Sequence, residues 1–167
     1  MKKGLGVCAL LGALVSILPL AMAEPEPRVS PFSGKPVPRF ESLRYSTVNG
    51  RVGPSLQYPI AWRYERSGLP VLIVKESMEW RRVRDPEGVE VWMHKSMLSG
   101  QTTGIIRKDA MLKRRPEVQA EDLAILQTGV IVDIIEVHDD MVKVRKDRLL
   151  GWIKQSDIWG DPPLSGS

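Results

Sequence analysis

One stretch of this chain is written twice. Residues 68–100 read GLPVLIVKESMEWRRVRDPEGVEVWMHKSMLSG, and residues 129–160 read GVIVDIIEVHDDMVKVRKDRLLGWIKQSDIWG. Gly68 aligns with Gly129, Val71 with Val132, Ile73 with Ile134, and Val83-Arg84 with Val144-Arg145, all 61 residues apart. Trp92 aligns with Trp152, Ser96 with Ser156 and Gly100 with Gly160, each 60 apart; upstream, Pro54 aligns with Pro116 at 62. Spacing that slips by only one residue places the insertions in turns. A repeat of this period constrains the architecture before any single motif does, because each copy must be one supersecondary unit.

Within each copy the pattern is that of short strands. Val71 and Ile73 share one parity, as do Val132 and Ile134; between them lies Leu72 in one copy and Asp133 in the other. A position that accepts Asp faces solvent, so the flanking pairs point inward. A second strand over residues 80–85 turns at Asp85-Pro86-Glu87-Gly88 and returns over 89–94. The second copy turns at Lys146–Leu149 and returns over 150–154. Residues 95–99 and 155–159 read as a single helical or 3-10 turn that carries Leu98 and Ile158 inward. Upstream, residues 39–49 read as a first strand and 50–55 as a turn dense in breakers, with a further strand over 61–64 after Pro59. Ile105-Ile106 either opens the second copy or packs at the junction. Each copy thus offers about five short strands, a set that must close on itself to cover its edges. A unit of about 50 residues buries little core, so two units sharing a junction are steadier than one. The expected fold is all-β: two small barrels in tandem, over residues 39–100 and 101–160, with 161–167 (DPPLSGS) as a frayed tail.

The residues before the repeat belong to another class. Lys2 and Lys3 precede an uncharged run, Gly4–Ala23, that ends in Ala21-x-Ala23. This is the pattern of a secretory signal peptide, residues 1–23, cut between Ala23 and Glu24. A retained membrane anchor is the alternative reading of the same run. Residues 24–38 hold five prolines and few apolar side chains, the composition of an extended linker. The only cysteine, Cys8, leaves with the leader, so the exported chain has neither disulfide nor thiol chemistry. Export without disulfides points to a bacterial periplasm or to secretion from a bacterium. Without Lys2 and Lys3 the chain carries 22 basic and 20 acidic residues. That balance argues against a nucleic-acid partner. No transmembrane span is expected once the leader is cut.

The residues Val48-Asn49-Gly50-Arg51-Val52-Gly53-Pro54-Ser55 resemble the V-N-x-R-x-G-P-S opening of bacterial SH3-like (SH3b) domains. Gly68-x-Pro70-Val71, Trp80-x-x-Val83, the turn Asp85–Gly88, and Trp92-Met93-His94-x-Ser96-x-Leu98 follow the closing pattern of that family. The second copy keeps Gly129, Val144, Gly151-Trp152-Ile153 and Ser156-x-x-x-Gly160. It departs at Met111–Pro116, where the opening motif is missing, and at Met141, which stands in place of Trp80. The resemblance implies five-stranded SH3-like barrels in an exported bacterial protein. It also implies a targeting or binding role at the cell wall, with peptidoglycan, a peptide or an envelope protein as partner. A structural scaffold without a small ligand is the alternative.

Catalytic signatures are missing. No thiol survives export, there is no Gly-x-Ser-x-Gly elbow, and His94 and His138 are the only histidines, too few for a His-rich metal site. The expectation is a non-enzyme with no cofactor and no metal. The aromatic residues point instead to binding. Trp92 and Trp152 recur at one place, each beside an apolar neighbour of opposite parity, and read as structural like Gly68 and Gly129. Val142 and Val144 make an inward pair, which places Met141, and by analogy Trp80, on the outer face. Trp80 with Tyr58, Trp62 and Tyr64 then makes a candidate aromatic groove in the first copy. Arg81 would point inward, which calls for a bulge. Arg82 and Arg84 complete a basic cluster that is either a solvated face or a site for an acidic partner.

Overall fold

The structure is a computed structural model that describes residues 28–160. The expected leader, its cleavage point and the tail after Gly160 lie outside these residues. A hairpin of β1 (Arg28–Val29) and β2 (Pro36–Val37) comes first. The first copy follows as β3 (Arg39–Leu43), β4 (Val48–Arg51), β5 (Ile60–Tyr64), β6 (Pro70–Ser77), β7 (Trp80–Arg84), β8 (Glu90–His94), a 3-10 turn at Lys95–Met97, and β9 (Leu98–Ser99). The second is β10 (Thr103–Ile106), β11 (Ala110–Lys113), β12 (Asp122–Leu126), β13 (Ile131–His138), β14 (Met141–Lys146), β15 (Leu149–Lys154), a 3-10 turn at Gln155–Asp157, and β16 (Ile158–Trp159).

The two copies fold into two separate seven-stranded sheets. Their orders are β5-β4-β8-β7-β6-β3-β9 and β12-β11-β15-β14-β13-β10-β16, which match strand for strand. The fold is therefore all-β, two SH3-like units in tandem, as the repeat requires. Each sheet curls around its own core, with β5 and β9, or β12 and β16, as edge strands joined by no ladder. The first expected strand is broken at Arg44–Thr47 into β3 and β4, and Gly50 and Arg51 lie in β4 rather than in a turn.

The inward pairs hold, with Ile134 only half-buried against the second core. Val71, Ile73 and Val83 are fully buried in the first core, and Val132, Val142 and Val144 in the second. Both long strands carry a bulge at the same place, between Ile73 and Lys75 and between Ile134 and Glu136. The extra residue resets the alternation, so that Glu76 faces Arg81 across β6–β7 and Val137 faces Val142 across β13–β14. A bulge does accompany the inward Arg81, but it sits on the partner strand. Met141 departs from the expectation of an outward side chain: it is 3% exposed. The 3-10 turn near this position is tied down alike in both copies, by Gln155 N–H donating to Asp140 O and Lys95 N–H donating to Glu79 O, each at 2.8 Å. The difference in cover follows from the side chain, a flexible thioether in place of a larger, rigid indole.

A size swap between the copies fixes the crossing of β4 with β8. A Cβ on Gly50 would come within 2.5 Å of Val91 Cγ2; in the second copy a Cβ on Gly151 would come within 2.8 Å of Leu112 Cγ. Gly50 aligns with Leu112 and Val91 with Gly151. One small and one large residue fill the crossing in each copy, with their strands exchanged, because cores tolerate changes that conserve volume.

The junction is packed. Both Ile105 and Ile106 lie in β10, the opening strand of the second copy, and Ile105 joins the first core while Ile106 joins the second, so the pair also packs the junction. Ile131 and Trp159 also pack on the first core, and the Phe40 and Trp159 rings meet edge to face at 4.9 Å. Ser42 Oγ and Thr103 Oγ1 lie 2.6 Å apart, Ser42 Oγ donates to Gln101 O at 2.6 Å, Thr103 Oγ1 donates to Gly68 O at 2.7 Å, and Arg66 Nη2 donates to Gly129 O at 2.7 Å.

The proline-rich stretch is not simply an extended tether over its described part. Ser30 N–H donates to Lys35 O and Gly34 N–H to Ser30 O, both at 2.9 Å, and close a turn that returns β2 alongside β1. Val37 packs on the first core. Ser30 is buried and its hydroxyl donates to Glu76. The difference has a polar cause, a buried carboxylate on β6 that composition does not reveal.

Candidate functional site

An open groove of about 690 Å³ crosses the first copy, lined by Ser55, Leu56, Gln57, Glu79, Trp80, His94, Ser96 and Met97. Its wall is the end of the β7–β8 ladder, where Trp80 pairs with His94. Alternation along β7 turns Arg81 and Val83 inward and leaves Trp80 on the outer face, half-buried. The Trp80 and His94 rings meet edge to face at 5.6 Å. Opposite lies the loop of residues 55–57, held by Tyr58 N–H donating to Ser55 O. At the rim the Glu79 carboxylate takes Lys95 Nζ at 2.8 Å, and that hydrogen bond holds its pKa below the ordinary glutamate value.

His94 also caps the 3-10 turn. Its Nδ1 accepts the Ser96 backbone N–H at 3.3 Å and lies 2.7 Å from Ser96 Oγ. The second contact has the length of a nucleophile–base pair. The rest of such a site is missing among the described residues: Nε2 meets no carboxylate to orient the ring, and Nδ1 is already engaged by a backbone donor. No three His, Cys, Asp or Glu side chains among the described residues are grouped to hold a metal ion. No helix among them is long and apolar enough to cross a membrane.

The candidates read from the sequence scatter. Trp80 lies in the groove, but Tyr58, Trp62 and Tyr64 do not line it. Tyr58 lies against Gly53, where a Cβ would come within 2.6 Å of its ring, and is exposed. Trp62, opposite Gly50 on the edge strand β5, is 54% exposed. Tyr64 is 5% exposed and belongs to the core: its hydroxyl donates to Asp85 Oδ2 at 2.9 Å. Its place in an outer aromatic groove is therefore corrected. It shares parity with Trp62, but only Tyr64 has the barrel above it. Burial, and then the hydrogen bond to Asp85, push the Tyr64 hydroxyl far above its ordinary pKa, so it stays a donor.

The basic cluster also divides. Arg81 is 5% exposed and paired with Glu76 at 3.0 Å. Arg82 Nε and Arg84 Nη2 both bind Glu90, at 2.8 and 2.7 Å, on the solvent face. One carboxylate thus bridges both outward guanidinium groups, and the face keeps a net positive charge. Trp92 and Trp152 lie outward of the buried Met93 and Ile153, at structural positions; Lys143 Nζ is 5.4 Å from the Trp152 ring centroid. Sequence reading missed His94 and the loop 55–57. The signal was present in Ser96 two residues after His94, the spacing of a side-chain cap.

In the second copy the same place is built differently. Trp80 aligns with Met141 and His94 with Lys154, which makes no side-chain cap. The groove's aromatic wall belongs to the first copy.

Comparison with known proteins places this geometry. The family described as Bacterial SH3 domain matches residues 44–100 and again 107–160. A search of curated proteins finds no match. Solved structures that resemble the chain include two NlpC proteins. NlpC1 from Trichomonas vaginalis has a TM-score of 0.36 and 14% identity, over 87% of this chain and 54% of that one. NlpC2 from Trichomonas vaginalis has a TM-score of 0.35 and 14% identity, over 75% and 49%. The chain spans about half the length of each. With both copies matched, and each folded into the same sheet order, this chain belongs to the bacterial SH3 domain family.

Proposed function

We propose that this protein is a non-catalytic binding module of the bacterial envelope, exported to the periplasm or beyond, that holds peptidoglycan through its first SH3-like unit. The observation that carries the reading is the Trp80–His94 groove, present in one copy and rebuilt with Met141 and Lys154 in the other. A half-buried indole beside an imidazole is a surface that grips a ligand by contact area and one or two hydrogen bonds. The second unit then serves as a structural partner that steadies the first through the packed junction.

Retention on purified sacculi tests this. The full chain should sediment with sacculi, and Trp80→Ala should lose retention while its thermal unfolding is unchanged. A wild-type chain that stays in the supernatant at every salt concentration defeats the proposal. Release of soluble muropeptides would overturn its non-catalytic part. A second reading, an assembly scaffold, draws on a different observation: Ile60 and Trp62 lie exposed on the free edge strand β5, with Tyr58 beside them. Such an edge invites strand pairing. Light scattering of the wild type against Trp62→Lys checks it; a monomer in both cases removes that reading.

A further inference from the structure

We infer that His94 is a specificity-determining residue, held as the Nε2–H tautomer so that the groove recognises a neutral amide carbonyl beside an apolar face. The inference rests on the proposed binding role of the groove and names the chemistry it reads. A 3-10 turn leaves its first backbone N–H groups without partners inside the turn. Here the Ser96 N–H is satisfied by His94 Nδ1. A backbone N–H can only donate, so in this capping geometry Nδ1 offers its lone pair, the Ser96 hydroxyl at 2.7 Å donates to it as well, and the neutral ring carries its proton on Nε2. Nε2 has no partner among the described residues, and His94 lines the groove. Ser96 thereby makes His94 a fixed donor at that wall.

The surroundings select the acceptor. The Glu79 carboxylate lines the same groove and is paired with Lys95 through both oxygens, so this wall has no net charge to hold an anionic acceptor. A neutral carbonyl needs none. Trp80, Leu56 and Met97 supply apolar contact for the atoms around it. In the second copy Lys154, with no capping bond and three donors on a flexible stem, cannot make this selection. Peptide bonds and the acetamido groups of amino sugars both carry such a carbonyl.

The discriminating variant is His94→Asn, because an Asn side-chain oxygen can still cap the turn whereas the groove donor is gone. Three measurements on the full chain decide the matter. Nitrogen-15 spectra of the His94 ring should show the proton on Nε2; a proton on Nδ1 overturns the inference. His94→Asn should keep the wild-type unfolding midpoint and lose about tenfold in affinity for purified sacculi, the scale of one hydrogen bond of about 1.4 kcal/mol. Retention lost on Trp80→Ala but undiminished in His94→Asn overturns this inference and leaves the groove's binding role standing. Failure of the wild-type chain to bind overturns both. Competition assigns the source: displacement by soluble stem peptides places the carbonyl in a peptide, displacement by peptide-free glycan strands places it in an acetamido group, and displacement by neither defeats the amide reading.

Discussion

The two copies share one sheet order and differ where their cores are filled. In the second, Val137 faces Val142 across the β13–β14 ladder. In the first, the same two places hold Glu76 and Arg81, inside a barrel wall. Glu76 Oε1 lies 2.7 Å from Arg39 Nη1 and 3.0 Å from Arg81 Nε, as ion pairs rather than aligned hydrogen bonds. Its other oxygen accepts the Ser30 hydroxyl. A buried ion pair is no more stabilising than a packed apolar pair and often less so. The first copy keeps one, and through it fastens the β1–β2 hairpin, which the second copy lacks. The comparison separates what the fold requires, a matched pair at this register, from what one copy adds, a polar anchor for the chain that enters it.

The largest effect is expected from breaking that anchor on one side. Glu76→Ala leaves Arg81 buried without its partner and should cost about 3–5 kcal/mol in chemical denaturation. Replacing both residues by Val copies the second unit; stability should return to within about 1 kcal/mol of wild type or exceed it, while proteolysis around Lys35 accelerates as the hairpin loses its bond from Ser30. A double variant as unstable as Glu76→Ala would show that the ion pair is not exchangeable with its counterpart. The single carboxylate also sets an acid dependence. Burial alone would raise the Glu76 pKa, but Ser30, Ser33 and the neighbouring Arg39 guanidinium outweigh it and hold the value below the ordinary one. A carboxyl with a lowered folded-state pKa contributes stability above its unfolded value, lost as pH falls through the folded one. Wild type should therefore weaken below about pH 4.5 by more than the double Val variant does.

Next in size is the exchanged crossing. Gly50→Leu alone should cost at least about 1–3 kcal/mol, because Val91 already fills that space. Adding Val91→Gly reproduces the Leu112–Gly151 arrangement and should recover about half of the loss, the remainder reflecting a glycine inside β8. No recovery would mean that the crossings differ by more than side-chain volume. Smaller again is Tyr64→Phe. It removes the donor from Asp85 Oδ2 and should cost about 1–2 kcal/mol. The aligned pair in the second copy is Leu126 and Lys146, so that unit has no such bond to lose. The smallest change separates the caps: His94→Ala should destabilise by about 1 kcal/mol, and Lys154→Ala, which removes no capping bond, by much less.

Spacing and alternation along the chain established the repeat, the all-β class, the separation into two units and the inward set Val71, Ile73, Val132 and Val144. These follow from spacing and from a side-chain period of two, which are local properties of a strand. Alternation also placed Trp80 outward. How far each residue on a given face is covered depends on the folded arrangement, because cover comes from segments distant in the chain. Tyr64 and Trp62 share a parity on β5, yet one sits in the core and the other in solvent. Met141, read as outward, is buried. Trp80 gained His94 and the loop 55–57 as neighbours in place of Tyr58 and Trp62, and the prolines before Arg39 folded back because Glu76, 46 residues beyond Ser30, offered a buried acceptor. Alternation says which way a side chain points; what it meets there is settled by chain that is far away in sequence.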